Sequence, residues 1–229
     1  MAEHMFSELK YIPEAWSNAF ASKAFRKQLV FSLVLLVFSC AYNFHYLRIY
    51  QSRPGTQVND LLLNLLQPHN FSVPIFCLEY STLLLVIIFL LVHPDVFVKG
   101  LQMAAVIFVT RTWAVYLFPL EPPRDMVYLN DPFANLFLHT KETFVTKDLF
   151  FSGHISMLAL LVFISVNRYV KAIAFAASVF VSALILCQHV HYTLDVLFAP
   201  IAAFTAYKFV LYIHRETRFG LELQEQGLQ

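Results

Sequence analysis

Two short segments carry the residues best suited to chemistry. In Phe151-Ser152-Gly153-His154, Ser152 can cap a helix start and Gly153 lets a backbone come close. A helix N-terminus offers free N–H groups and partial positive charge to an anion. A histidine there can protonate a phosphate-ester leaving oxygen. Taken alone, the segment also reads as a helix cap beside an interfacial histidine. In His191-Tyr192-Thr193-Leu194-Asp195, the i, i+4 spacing puts His191 and Asp195 on one helix face. A carboxylate on one ring nitrogen fixes the tautomer and directs the other nitrogen as a base or nucleophile. A simple structural His–Asp pair has the same spacing.

Together the two segments suit phosphoryl transfer through a phosphohistidine. Such a site needs fixed positive charge for the phosphate oxygens. Arg111 is the leading source, because arginine holds phosphate with a bidentate fork. The other reading pairs Arg111 with Glu79. Lys147 and Arg124 are further cations, on a loop. A metal site is the less favoured alternative. His154, His189, His191 and Asp195 are ligand types, but His189 and His191 are two residues apart and diverge on a helix. No metal and no organic cofactor is expected. His4, His45, His69, His93, His139 and His214 show no partner pattern and read as interfacial or solvated.

The elements that must position these residues are membrane spans. The chain has 229 residues, 59% hydrophobic and only 14% charged. A bilayer core needs roughly 20 apolar residues in a helix. Six runs approach that length: 29–47, 74–92, 101–119, 149–166, 170–187 and 192–213. The reading is an all-α polytopic membrane protein with six transmembrane helices. A cytoplasmic segment, 1–28, precedes the catalytic domain, 29–213, and a polar, weakly helical tail, 214–229, follows it. The first run lacks a small-residue cleavage site and reads as a retained helix rather than a signal peptide. Lys10, Lys23, Arg26, Lys27, Lys99, Arg168, Lys171, Lys208, Arg215 and Arg218 fall on one side of the membrane. Arg48, Arg53, Arg124, Lys141 and Lys147 fall on the other. The excess places both termini in the cytoplasm. Glu79, Arg111, His154, His189, His191 and Asp195 then gather toward the exoplasmic side. Ionisable groups at that depth cost roughly 2.5–3.5 kcal/mol each on insertion scales, which marks them as functional or paired.

Other classes fall away. A net charge of +1 gives no support to nucleic-acid binding, and five glycines speak against a glycine-rich nucleotide fold. Cys40, Cys77 and Cys187 lie in apolar runs without paired spacing and read as reduced. Asn70-Phe71-Ser72 is a glycosylation sequon close to a span. The composition leaves room for a homo-oligomer.

Asp148 to His154 and His189 to Val196 resemble the two C-terminal motifs of the sphingomyelin synthase family, within the PAP2 lipid phosphatase and phosphotransferase superfamily. Arg111 to Pro123 is similar to that family's arginine-tyrosine segment, matching at Arg111, Tyr116, Leu120 and Pro123. The likeness covers residues 100–200 by motif and the first 100 by topology only. It implies a PAP2-like helical core and a transfer cycle. His191, oriented by Asp195, attacks the phosphorus of a glycerophospholipid headgroup, phosphocholine or phosphoethanolamine. His154 protonates the departing diacylglycerol. It then deprotonates ceramide or a similar lipid alcohol, which takes the headgroup. Arg111, Ser152, Gly153 and Lys147 would bind the phosphate, and Asp148, Tyr116 and Glu79 would support the site. The partners implied are the donor, the acceptor and membrane lipids. The alternative is a lipid phosphate phosphatase or phospholipase C-like hydrolase using the same His/His/Asp site. Thr146-Lys147-Asp148 replaces the family's Cys-Gly-Asp. The added Lys147 charge works against a cationic headgroup, and Glu121, Asp125, Asp131 and Glu142 can offset it. Neither Lys-x6-Arg-Pro nor Ser-Arg before the second histidine is present, which favours the transferase branch. A third reading is a non-enzymatic lipid-binding protein.

Overall fold

The computed structural model describes residues 7–130 and 146–225, with side chains through Arg215. Lys141, His139, Asp131, Glu142 and His4 lie outside the described residues. Within them are seven α-helices and no strand. A 3-10 turn, Ser7–Tyr11, leads into α1 (Ile12–Ala21) and α2 (Lys23–Tyr50). Then come α3 (Ser72–Leu90), α4 (Pro94–Leu117), α5 (Gly153–Ile164), α6 (Arg168–Cys187) and α7 (Thr193–Glu225).

Five of these, α2, α3, α4, α6 and α7, are long and apolar enough to cross a membrane. Their outer faces carry Val34, Val37, Phe38, Phe175, Phe180, Leu197 and Ile201, all exposed. So much bare apolar surface is expected where the solvent is lipid tail. The five helices describe a multi-pass integral membrane protein.

The run at 149–166 does not become a sixth long helix. Only Gly153–Ile164 is helical, which at 1.5 Å per residue spans about 18 Å, well short of a bilayer core. Leu149, Phe150 and Phe151 supply apolar character without helix. The short helix is tolerated because it lies at the centre of the bundle, against α3, α4, α6 and α7. Irregular backbone at membrane depth is stable when protein surrounds it. Ile155, Leu158, Leu160, Leu161 and Ile164 are buried there, in a core with Ile75, Val86, Met103, Ile107, Val181, Ile185, Ala199 and Ala203. Small residues on α7 let it approach α5 closely. Asn167 ends the turn by accepting from Tyr169 N and Val170 N at the start of α6.

Two further expectations change. The tail is helical to Glu225, continuous with the last span. His214 is not a solvated histidine. Its Nε2 lies 2.8 Å from Gln102 Oε1, its ring lies 3.3 Å from Gln28 Nε2, and Gln102 Nε2 donates to Ser32 Oγ. This network joins α2, α4 and α7, and Asn43 Nδ2 donating to Thr112 Oγ1 joins α2 and α4 again. Polar side chains in lipid-spanning helices are stable when they satisfy one another this way.

The site end of the bundle is closed by loops. Thr56 N donates to Pro119 O and Glu121 N to Thr56 O, tying residues 51–71 to 118–130. Gly55 sits at this crossing, where a Cβ would stand 2.5 Å from the Leu120 carbonyl carbon. Gln188, fully buried, is the hub. It accepts from Phe71 N and donates to Ser72 Oγ, Val127 O and Tyr128 O.

Candidate active site

Asp60 fastens the 51–71 loop to the start of α7. Its carboxylate accepts Thr193 N at 2.6 Å, Thr193 Oγ1 at 2.9 Å and Leu62 N at 3.0 Å. Burial pushes its pKa up, but the bonds from Thr193, Leu63 and Leu62 outweigh that and hold it below the ordinary 3.8. A depressed folded pKa stabilises above the unfolded value, and the stability is lost as pH falls through the folded one. Acidification below the ordinary 3.8 therefore loosens this loop. The expected outcome is proteolytic cleavage within 51–71 that rises with acid in the wild type. In Asp60→Ala the same cleavage is already high at neutral pH.

Within that turn, His191 Nδ1 lies 3.3 Å from Asp195 Oδ2, with side-chain exposures of 3% and 1%. The same oxygen accepts Tyr192 N at 3.0 Å, so the carboxylate cannot swing away. With Nδ1–H donating to Asp195 Oδ2, Nε2 carries the free lone pair. Asp195 O also accepts Ser152 N at 3.2 Å, and this bond sets the start of α7 against the start of α5.

Ser152 occupies the N-cap position of α5 but makes no side-chain cap bond. The capping expectation is thus met in backbone only. Its hydroxyl is buried and has no partner among the described residues, as are Asp148 Oδ1, His154 Nδ1 and Asp195 Oδ1. Buried polar atoms are almost always satisfied, so this concentration marks a place built to receive a polar group. The first amides of α5 have no carbonyl one turn back to bond, and they add donors for an anion.

Arg111 does not pair with Glu79. Its Nη1 lies 2.6 Å from Asp148 Oδ2, Nη2 donates to Asp148 O, and Nε donates to Phe151 O at 3.0 Å. The reason is geometric: the non-helical 148–151 segment passes directly over the guanidinium. Arg111 organises that segment, and three of its five N–H groups are occupied. Glu79 instead approaches the other histidine, with Oε2 3.9 Å from His154 Nε2, and Phe76 meets the His154 ring edge-on.

Gly153 is required at its position because the guanidinium lies on it. A Cβ would stand 2.8 Å from Arg111 Cζ and 2.9 Å from Nη1. Arg111, held at three points, has little room to retreat. Gly153→Ala is expected to cost about 1–3 kcal/mol of stability by overpacking and about 100-fold in turnover by displacing His154. Thermal unfolding and turnover on the same preparation check both.

Two of the expected site residues, Lys147 and Tyr116, make loop and ring contacts. Lys147 Nζ is 2.7 Å from Glu121 Oε1 and donates to Arg53 O. The bond from Lys147, with one from Gly55 N, holds Glu121 below the usual carboxylate range. Lys147 is thus in a loop ion pair, and among the described residues Glu121 is the acid that offsets it. Tyr116 packs against Tyr50 and Trp113, with the Arg53 guanidinium over its ring. Arg124 Nε reaches Gln57 Oε1 at 3.4 Å on the exposed rim. Sequence reasoning passed over Asp60 and Gln188. The one available signal was a glutamine at the end of an otherwise apolar run.

Residues 147–213 match the family model described as PAP2 superfamily C-terminal. No curated protein matches the chain. The matched segment, under a third of the chain, carries Ser152, Gly153, His154, His191 and Asp195 and is similar to the C-terminal part of the PAP2 superfamily.

Proposed function

We propose that the protein is a phospholipid headgroup transferase of the sphingomyelin synthase type. The observation that carries this reading is the His191–Asp195 pair, bonded through the Asp195 carbonyl to the N-terminus of α5, where His154 stands. His191 Nε2 attacks the phosphorus of a glycerophospholipid. The bond from phosphorus to the diacylglycerol oxygen breaks, and that oxygen takes a proton from His154. The headgroup phosphate is left on Nε2. Ceramide or a similar lipid alcohol then gives its hydroxyl proton to His154, and its oxygen attacks phosphorus. The N–P bond breaks and His191 is restored. Glu79 orients the His154 ring, and the α5 amides with Ser152 hold the phosphate oxygens. No step calls on a cofactor.

The single catalytic domain is the bundle of residues 29–213, with both termini cytoplasmic and the site exoplasmic. Donor and acceptor enter sideways from the outer leaflet. The test is turnover of headgroup-labelled phosphatidylcholine and phosphatidylethanolamine in mixed micelles, with and without ceramide. Label on ceramide that disappears in His191→Ala is the expected result. Label released only to water replaces the transferase with a hydrolase. Activity that survives His191→Ala contradicts both.

A further inference from the structure

A polar cavity of about 510 Å³ opens beside the His191 turn. Its walls come from the 57–66 loop and from Pro123, Arg124 and Asp125. His189 and Tyr192, the residues flanking the Val190-His191 pair, complete it. His189 is only 4% exposed, and its Nε2 has no hydrogen-bond partner among the described residues. Its backbone φ of 56° is the left-handed conformation, unusual for a residue with a Cβ. The loops are fixed around the cavity: Asp60 is bonded to Thr193, and Tyr192 Oη donates to Glu121 O.

We propose that this cavity is the headgroup subsite and that it takes a headgroup ending in a primary ammonium, of the phosphoethanolamine class. The inference rests on the transferase reading above and adds the donor to it. Three features favour that chemistry. The lining carries two carboxylates, Asp60 and Asp125, against one guanidinium, Arg124, so its field favours a cation. Lys147, the charge that would oppose a cation, is neutralised by Glu121. The lining mixes Val58, Leu63, Leu66 and Pro123 with the hydrogen-bonding side chains of Gln57, Asn59 and Asn64 beside the acids. An ammonium has three N–H donors to give to the carboxylates and amide oxygens of this lining, whereas a trimethylammonium has none. Quaternary ammonium groups are held by the faces of Trp, Tyr or Phe, and among the described residues Tyr192 is the one such side chain in this lining.

A site that hydrogen-bonds its substrate rejects an analogue lacking the donors strongly. Phosphatidylethanolamine is therefore expected to exceed phosphatidylcholine by about tenfold or more in kcat/KM. The experiment has two arms on the full-length purified protein. The first measures kcat/KM for both donors in wild type, Asp125→Asn and His189→Phe. The expected result is a tenfold wild-type preference that falls several-fold in each variant, mainly through KM for phosphatidylethanolamine. The second is calorimetric titration with water-soluble glycerophosphoethanolamine and glycerophosphocholine, which reads binding without turnover. Tighter binding of the ethanolamine compound, weakened in both variants, supports the subsite even if neither lipid turns over; that outcome counts against the transferase reading alone. Transfer that prefers phosphatidylcholine, or an equal loss for both donors that leaves the ratio unchanged, overturns the subsite and leaves the transferase standing. Equal binding of the two soluble compounds also overturns it.

Discussion

Asp195→Asn lowers kcat by about 1,000- to 10,000-fold while the fold persists, on the pattern of buried carboxylates that fix a catalytic histidine. An asparagine at this position fills the same space. Oδ2 takes both Tyr192 N at 3.0 Å and His191 Nδ1 at 3.3 Å. An amide carbonyl there keeps both bonds but carries no charge, so the positive charge that builds on the ring as Nε2 attacks phosphorus is no longer offset. An amide N–H₂ there instead leaves Tyr192 N unpaired and makes Nδ1 an acceptor, which moves the ring proton to Nε2 and removes the lone pair meant for phosphorus. The loss is electronic rather than structural. Thermal unfolding near the wild-type midpoint with collapsed turnover is the expected pair of results. A variant that is inactive only because it unfolds would show that Asp195 acts as a strut.

The second large effect is on stability. Arg111 is 6% exposed in the middle of the protein, and its partners are Asp148 and the Phe151 carbonyl. Removing one member of a buried pair leaves the other charge uncompensated, at a cost of about 3–5 kcal/mol. Arg111→Ala is therefore expected to unfold at markedly lower temperature and to lose activity with the 148–153 segment. Arg111→Lys keeps the charge but not the fork. It cannot reach Asp148 and Phe151 together, so it restores part of the stability and little of the turnover. Equal activity in Arg111→Lys and wild type would show that the charge alone matters.

Much of this arrangement was legible before any coordinates. The i, i+4 spacing of His191 and Asp195 defines a shared face, and the apolar runs define five of the long helices. What hydropathy cannot do is tell a span from a short helix wrapped in protein. Leu149 to Phe151 look the same in both cases, which is why α5 proved to be 12 residues long. Pairings across long sequence separations are equally invisible. Arg111 and Asp148 lie 37 residues apart in sequence, and only the passage of residues 148–151 over the guanidinium decides between Asp148 and Glu79. His214 was misread for the same reason: its partners Gln28 and Gln102 lie on other helices. Asp60 carries no signal in the sequence, since its bonds to Thr193 depend on the loop folding back over α7.

The central claim is that His191 carries the headgroup phosphate between donor and acceptor. The direct test is to mix protein with headgroup-labelled phosphatidylethanolamine without acceptor, quench under alkaline conditions, and map the modified peptide by mass spectrometry. The account predicts an acid-labile phosphoethanolamine adduct on His191, absent in His191→Ala and discharged when ceramide is added. Label transfer to ceramide at the wild-type rate with no adduct on His191, or with the adduct on another residue, would contradict it.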